Sequence, residues 1–196
     1  PFMHDGNQYV ALSSGNSFLA ADLKTGKKSW EIQWPTRYGV NAADPIIAGN
    51  EVWIGSGYGK GQGLYTFEDS EAKVKWTNRE MRSQQNSPVL IDDHLYGFDG
   101  DGGSRAPLKC IERSSGKVVW EADEFKYGSV AAAGGQLIIM TAQGELIIAP
   151  ASPSGFQPSA RSKVMDGKCW TVPVIANGLI YVRNSKGRLI CLDVRS

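Results

Sequence analysis

Four short stretches collect the side chains best suited to hold another molecule. They are Tyr38, Asn41 and Asp44; Arg82, Gln84, Gln85 and Asn86; Lys126 and Tyr127; and Lys168, Cys169 and Trp170. Each mixes amide, aromatic or cationic groups. If brought to one face, they could bind a small anion, a quinone or a peptide, through charge and hydrogen bonds on one side and ring faces on the other. Other patterns carry less. The glycine run Gly55-Ser-Gly-Tyr-Gly-Lys-Gly-Gln-Gly63 resembles a phosphate loop only in composition. The chain has no Gly-x-x-x-x-Gly-Lys-Ser/Thr, and no helical pattern follows to present its N-terminal amides. In Phe98-Asp-Gly-Asp-Gly-Gly103, Asp99 and Asp101 offer hard oxygens to calcium, but no downstream glutamate completes an EF-hand. His94 falls at a turn and is expected to be solvated, and His4 lies near the start. Neither adjoins a nucleophile motif, so a hydrolytic triad has no support. No catalytic residue and no metal ligand set is expected.

The cysteines are Cys110, Cys169 and Cys191, an odd count that permits at most one internal disulfide, at spacings unlike those of zinc sites. Cys110 and Cys191 alternate with apolar neighbours and are expected to be buried thiols. Cys169, in a loop, is expected to be the more reactive.

The elements that must position these groups repeat. Asp22-Leu-Lys-Thr-Gly-Lys-Lys-Ser-Trp30 aligns without a gap to Glu68-Asp-Ser-Glu-Ala-Lys-Val-Lys-Trp76 and to Glu112-Arg-Ser-Ser-Gly-Lys-Val-Val-Trp120, at steps of 46 and 44 residues. A second register, starting at Pro45, recurs at Pro88, Ala131 and Pro173 with steps of 43, 43 and 42. Each copy is a short apolar run, a two-residue turn of Gly, Asn or Asp, and a second apolar run, which is a β-hairpin signal. No window carries a 3.6-residue apolar period, and 23 glycines punctuate the 196 residues. Four-strand units at a period in the low forties predict an all-β fold, a β-propeller of four-stranded antiparallel blades. A parallel β-helix, whose repeats are usually shorter and lack hairpin turns, is the alternative.

The predicted blades span 44–79, 88–122 and 129–165, flanked by three-stranded partial units over 7–33 and 171–193. The first partial unit is expected to lack its innermost strand and the last its outermost. Because such an open arc would expose sheet edges and apolar faces, the chain is expected to belong to a larger ring, with a dimer of two arcs as the alternative. Trp30, Trp76 and Trp120 fall at one position of the fourth strand and are expected to cover the gap to a neighbouring blade, each burying on the order of 200 Å². Gly26 and Gly116 close the turn before that strand, where positive φ is expected. Ala72 stands where those units have glycine, so its turn is expected to differ. In the third complete unit Pro150-Ala-Ser-Pro-Ser-Gly-Phe-Gln-Pro158 replaces the turn and no tryptophan follows, predicting a longer, looser connection.

With 21 basic and 20 acidic residues the net charge is +1, which gives no extended surface for nucleic acid. No apolar stretch is long enough to span a bilayer.

Three segments carry a family resemblance: Phe18-Leu-Ala-Ala-Asp-Leu-Lys-Thr-Gly-Lys-Lys-Ser-Trp30, Ser87-Pro88-Val89 and Leu189-Ile-Cys-Leu-Asp193. The first resembles the repeat of pyrroloquinoline-quinone-type propellers, and the likeness extends over nearly the whole chain. It implies a ring of seven or eight blades, periplasmic or exported in bacteria. Two functional classes share the repeat. Quinoprotein dehydrogenases oxidise alcohols or sugars with pyrroloquinoline quinone and calcium; non-catalytic members include a lipoprotein scaffold of outer-membrane protein assembly. The dehydrogenases typically carry adjacent cysteines beside the cofactor, and this chain has no two consecutive cysteines. The expectation is therefore a binding or scaffold propeller with no cofactor, acting on a protein partner or small ligand. A dehydrogenase using the quinone with calcium is the alternative.

Overall fold

The computed structural model describes residues 1–68, 71–100 and 105–195. Among these the secondary structure is strand, turn and bend, with no helix. Two compact units are formed, Pro1–Ser87 with Arg113–Lys117, and Pro88–Glu112 with Val118–Ser196.

The first unit holds two four-stranded antiparallel sheets, each in simple sequence order. One is β1 (Phe2–His4), β2 (Asn7–Ser13), β3 (Ser17–Asp22) and β4 (Lys28–Gln33). The other is β5 (Ile46–Ala48), β6 (Glu51–Ser56), β7 (Gly61–Glu68) and β8 (Glu71–Asn78). The second unit holds β9 (Val89–Ile91), β10 (His94–Phe98), β11 (Leu108–Glu112) and β12 (Val118–Ala122) in one sheet. A second sheet contains β13 (Gly128–Ala133), β14 (Gln136–Thr141), β15 (Glu145–Pro150) and β16 (Ala160–Lys163). The third has three strands, β17 (Val174–Ala176), β18 (Leu179–Arg183) and β19 (Leu189–Asp193).

The first sheet corrects the expectation of a missing innermost strand. Phe2, Met3 and His4 pair with Tyr9, Gln8 and Asn7. The turn between them is Asp5-Gly6, with φ of 46° and 76°. Asp92-Asp93, Gly134-Gly135 and Asn177-Gly178 also have both residues at positive φ, the geometry that matches a hairpin turn to strand twist.

A bulge recurs where the third and fourth strands meet. The register shifts between Leu19 and Ala21, between Leu64 and Tyr65, and between Cys110 and Ile111. Each shift lies beside the repeated tryptophan. A bulge bends its strand and re-aims the side chains around it. Gly26 and Gly116 have φ of 70° and 71° before these fourth strands. A Cβ on Gly116 would lie 2.5 Å from the Asn78 amide nitrogen and 2.7 Å from the Trp76 ring. Ala72, by contrast, is a strand residue of β8 opposite Phe67.

Trp30 and Trp120 lie against the next sheet of their own unit, and Trp76 lies against the 113–117 turn that belongs to its unit. Trp30 stacks on Phe67 at 5.6 Å within a core of Phe18, Ile32, Val52 and Ile54. The Trp76 indole donates to the Arg113 carbonyl at 3.0 Å, and the Trp120 indole to the Ser152 carbonyl at 2.8 Å. In the second unit Tyr96, Phe98, Leu108, Phe125, Leu137 and Ile139 form one core cluster. The proline-bearing 151–159 connection is not the loose excursion expected. Its Phe156 packs on Trp120 at 6.0 Å and on Phe125 at 5.7 Å, so apolar burial anchors it.

Two thiol expectations reverse. Cys169 is fully buried and Cys191 is exposed. Cys191 lies on β19, which pairs with β18 alone, so its edge position leaves it accessible. Cys110 is buried as expected, and burial pushes its thiol up to about 11.

Candidate functional site

In the second unit, the connections that join one sheet to the next meet the turns between second and third strands. The 123–127 connection and the 142–144 turn are tied by Ala142 N–H donating to the Tyr127 carbonyl at 2.8 Å. The 164–173 connection is held at several points. Cys169 N–H donates to the Ala142 carbonyl at 3.0 Å, and Val164 and Met165 N–H donate to the Gly144 carbonyl at 3.0 and 3.1 Å. The Lys168 carbonyl accepts from Ser185 N–H at 2.8 Å, and the Thr171 carbonyl from the Ser129 hydroxyl at 3.1 Å. Gly144 permits this closeness: at φ +93°, a Cβ there would lie 1.9 Å from the Met165 carbonyl oxygen.

This backbone lattice surrounds a cavity of about 550 Å³, within the range that accommodates small ligands or a few side chains. Four predicted residues line it: Lys126, Tyr127, Lys168 and Trp170. The Tyr127 ring meets Trp170 edge-on at 5.6 Å, and the Lys168 ammonium sits 4.1 Å from the centre of the Trp170 ring. Tyr127 is buried, Trp170 half-buried, and both lysines exposed. Lys163, at the end of β16, adds a third lysine to the lining. It donates to the Gln143 carbonyl at 2.6 Å and lies 3.5 Å from Asp166. Cys169 lies behind this rim, its thiol pushed up by burial, with the Lys163 charge opposing that shift.

The other predicted residues belong to the first unit. Tyr38 is 60% exposed; its ring meets Tyr58 at 4.8 Å, with the Arg37 guanidinium 5.2 Å above it. Asn41 is 8% exposed and fully engaged. Its amide donates to the Ser14 carbonyl at 2.9 Å and the Trp34 carbonyl at 3.0 Å, and its carbonyl accepts from the Ser56 hydroxyl at 2.6 Å. On the 79–88 connection Gln84 is buried, Gln85 exposed, and Arg82 and Asn86 half-buried. Asp44 N–H donates to the Ser87 hydroxyl at 2.7 Å. A larger cavity in this unit, about 760 Å³, is lined mainly by hydrocarbon from Phe2, Met3, Val10, Ile46 and Ile47.

The remaining candidates resolve into structural roles. Ser56 pairs with Gly61 across the glycine run, which is a tight hairpin loop rather than a phosphate cradle. The Asp99 carboxylate holds the Lys109 ammonium at 2.8 Å, both buried; Asp101 lies outside the described residues. His94 is not a solvated turn residue. It opens β10 opposite Ile91, half-buried, with Nδ1 2.9 Å from the Asp92 carbonyl.

Sequence reasoning missed Lys163, Gln143 and Gly144. Glycine at a turn between second and third strands was the available signal for close approach. It also missed Lys60, whose ammonium lies 4.5 Å from the centre of the Trp34 ring.

Antiparallel sheets in simple strand order, joined by hairpin turns, are the blades of a β-propeller. The chain belongs to the family described as outer membrane protein assembly factor BamB, whose sequence profile matches residues 1–122 and 104–196. No curated protein matches the chain. Among solved structures it is similar to quinohemoprotein alcohol dehydrogenase from Comamonas testosteroni, at 12% identity and TM-score 0.69, covering 98% of this chain and 40% of that one. It is similar to quinohemoprotein alcohol dehydrogenase ADHIIG from Pseudomonas putida HK5, at 12% identity and TM-score 0.70, with the same coverage. A computationally designed protein, Ika8, matches at 11% identity and TM-score 0.67, over 97% of this chain and 60% of that one. The chain thus spans 40% to 60% of the length of these structures, and the likeness concerns the fold alone.

Proposed function

We propose that this chain is the binding part of a scaffold propeller, presenting preformed loop side chains to a partner protein and catalysing no reaction. One observation carries the reading: Lys126, Tyr127, Lys168 and Trp170 line one cavity whose walls are tied by backbone hydrogen bonds. Loops already ordered in the unbound protein lose less conformational entropy when a partner docks. The family description, an assembly factor, supports the same reading and a periplasmic or exported location.

The second reading, a dehydrogenase using pyrroloquinoline quinone and calcium, is favoured by the repeat and by the fold of the two quinohemoproteins. The residues present fit that cofactor pair poorly. Calcium takes several oxygen ligands, usually carboxylates. Asp99 is committed to Lys109 at 2.8 Å, and Asp166 lies 3.5 Å from Lys163. Glu121 shares the Lys109 ammonium with Asp99 at 3.4 Å, so that pair of carboxylates is already neutralised, and among the described residues no three side chains of metal-ligating type are grouped together.

The test uses full-length protein. Partner proteins are expected to be retained in a pull-down and lost on Trp170→Ala. Retention unchanged in that variant counts against this face. Arg82→Ala and Gln85→Ala, on the 79–88 connection, report whether the first unit contributes. Protein supplied with the quinone and calcium is expected not to bleach a redox dye with alcohols or sugars; turnover would establish the enzyme instead.

A further inference from the structure

We infer that the cavity at Lys126, Lys163, Lys168, Tyr127 and Trp170 recognises an acidic chain segment of a partner protein, with carboxylates flanking an aromatic or apolar residue. This rests on the binding reading above and names the partner's chemistry.

Three lysines line one cavity in a chain whose net charge is only +1, so the positive charge is local. Such a concentration suits a few carboxylates at fixed spacing more than the long, evenly charged backbone of a nucleic acid. Three acids lie near it. Glu145 stands opposite Lys163 in the β15–β16 ladder but does not line the cavity. Glu124 is engaged by Arg161. Asp166 lies 3.5 Å from Lys163, but its side chain is 92% exposed, and exposed pairs of this kind contribute little. An incoming carboxylate can therefore displace it. Lys163 gives one of its donors to the Gln143 carbonyl at 2.6 Å, and an ammonium has three, so it is oriented and still able to donate.

The aromatic pair supplies the apolar half. Tyr127 and Trp170 stand edge to face at 5.6 Å, leaving a half-buried indole at the rim. A third ring or a branched side chain can pack there. Lys168, 4.1 Å from the indole centre, joins the charged and aromatic halves. A carboxylate reaching Lys168 would place its neighbouring side chain against Trp170.

The experiment titrates full-length protein with two capped pentapeptides by calorimetry. One reads Asp-Glu-Phe-Asp-Glu; the other, Asn-Gln-Phe-Asn-Gln, has the same shape without charge. The expected result is binding of the acidic peptide at least tenfold tighter than the amide peptide. It should weaken at least tenfold in Lys126→Gln/Lys168→Gln, in Trp170→Ala, and on raising salt from 50 to 300 mM. Unfolding midpoints of the variants serve as the fold control, and the single variant Lys168→Gln, at an exposed position, repeats the test should the double variant unfold. Equal affinity for the two peptides, or acidic-peptide binding indifferent to the lysine changes, overturns the inference. So does failure of the peptide beside lysine-dependent binding of phosphatidylglycerol vesicles, which would assign the site to a lipid surface. If the peptide fails while Trp170-dependent retention of partner proteins persists, this inference falls and the scaffold reading stands. If both fail, both fall.

Discussion

The connection that follows β4 and the one that follows β16 occupy the same place in the repeat and divide the task of holding the loop differently between side chain and main chain. After β4, a side chain of the connection itself does most of the holding, beside one main-chain bond from Trp34 N–H to the Asn16 carbonyl at 2.8 Å. Asn41 is buried and bridges the Ser14 and Trp34 carbonyls and the Ser56 hydroxyl. After β16, the loop's own main chain does most of it: Cys169, Val164 and Met165 donate N–H groups to the carbonyls of Ala142 and Gly144, and the side chains that help, Asn184 on the Asp166 carbonyl and Ser129 on the Thr171 carbonyl, come from outside the connection. The consequence is chemical. Where a polar side chain fixes the loop, it is no longer available to a ligand. Where the main chain fixes the loop, Lys168 and Trp170 remain at the surface of a cavity. The repeat prescribes a place for a loop, and what secures that loop decides whether the place can bind.

The comparison can be broken most forcefully at Gly144. Gly144→Ala sets a Cβ 1.9 Å from the Met165 carbonyl at φ +93° and should destabilise the protein by about 3 kcal/mol. Gly187→Ala, at φ +83° with nothing within 4 Å, controls for the dihedral alone and should cost about 1 kcal/mol. Equal losses in denaturant unfolding would mean that close approach of the 164–173 connection does not depend on Gly144.

Asn41→Ala is next. It removes three hydrogen bonds, two of them buried, at a cost of about 2 to 4 kcal/mol, with ligand binding in the second unit unchanged. A variant as stable as the parent would show that Asn41 is not what secures its loop. The mirror experiment is Lys168→Gln, an exposed change that should alter stability by less than about 0.5 kcal/mol while weakening binding. A comparable loss of stability would erase the distinction between the two connections.

The smallest effect concerns the thiols. Alkylation of the native protein at pH 8 should label Cys191 and spare Cys110 and Cys169 until denaturant is added, read by mass spectrometry. Because burial raises the folded-state pKa of Cys110 from 9.0 to about 11, its neutral thiol favours the folded state fully below pH 9. That contribution is lost as pH rises through about 11. Cys110→Ala should flatten this part of the stability profile.

Strand positions were legible because the hairpins are written in local chemistry. Asp92-Asp93, Gly134-Gly135 and Asn177-Gly178 are turns that sequence identifies through their tolerance of positive φ. Asp5-Gly6 carries the same signal, but His4 breaks the apolar run that marks β5, β9 and β17, which are equally short, and so β1 escaped the reading. The candidate site was half legible. Residue type and repeat position flagged Lys126, Tyr127, Lys168 and Trp170. They could not reveal that Asn41 is internal, since its partners lie 7 to 27 residues away. Nor could they bring in Lys163, which reads as an ordinary outer-strand lysine until Gly144 lets its connection close on the 142–144 turn. The exposure of Cys191 and burial of Cys169 likewise depend on which strand has a neighbour, a property that alternation along one strand does not contain.

On the proposed function, equivalent loops serve stability in one unit and binding in the other. The most direct measurement pairs the unfolding midpoint with retention of partner proteins, in the same preparations of Asn41→Ala and Trp170→Ala full-length protein. The account predicts a crossover, with Asn41→Ala melting several degrees lower and retaining its partners, and Trp170→Ala losing them at a smaller cost in midpoint. Retention that simply follows the midpoint, with Asn41→Ala the poorer binder, would contradict it.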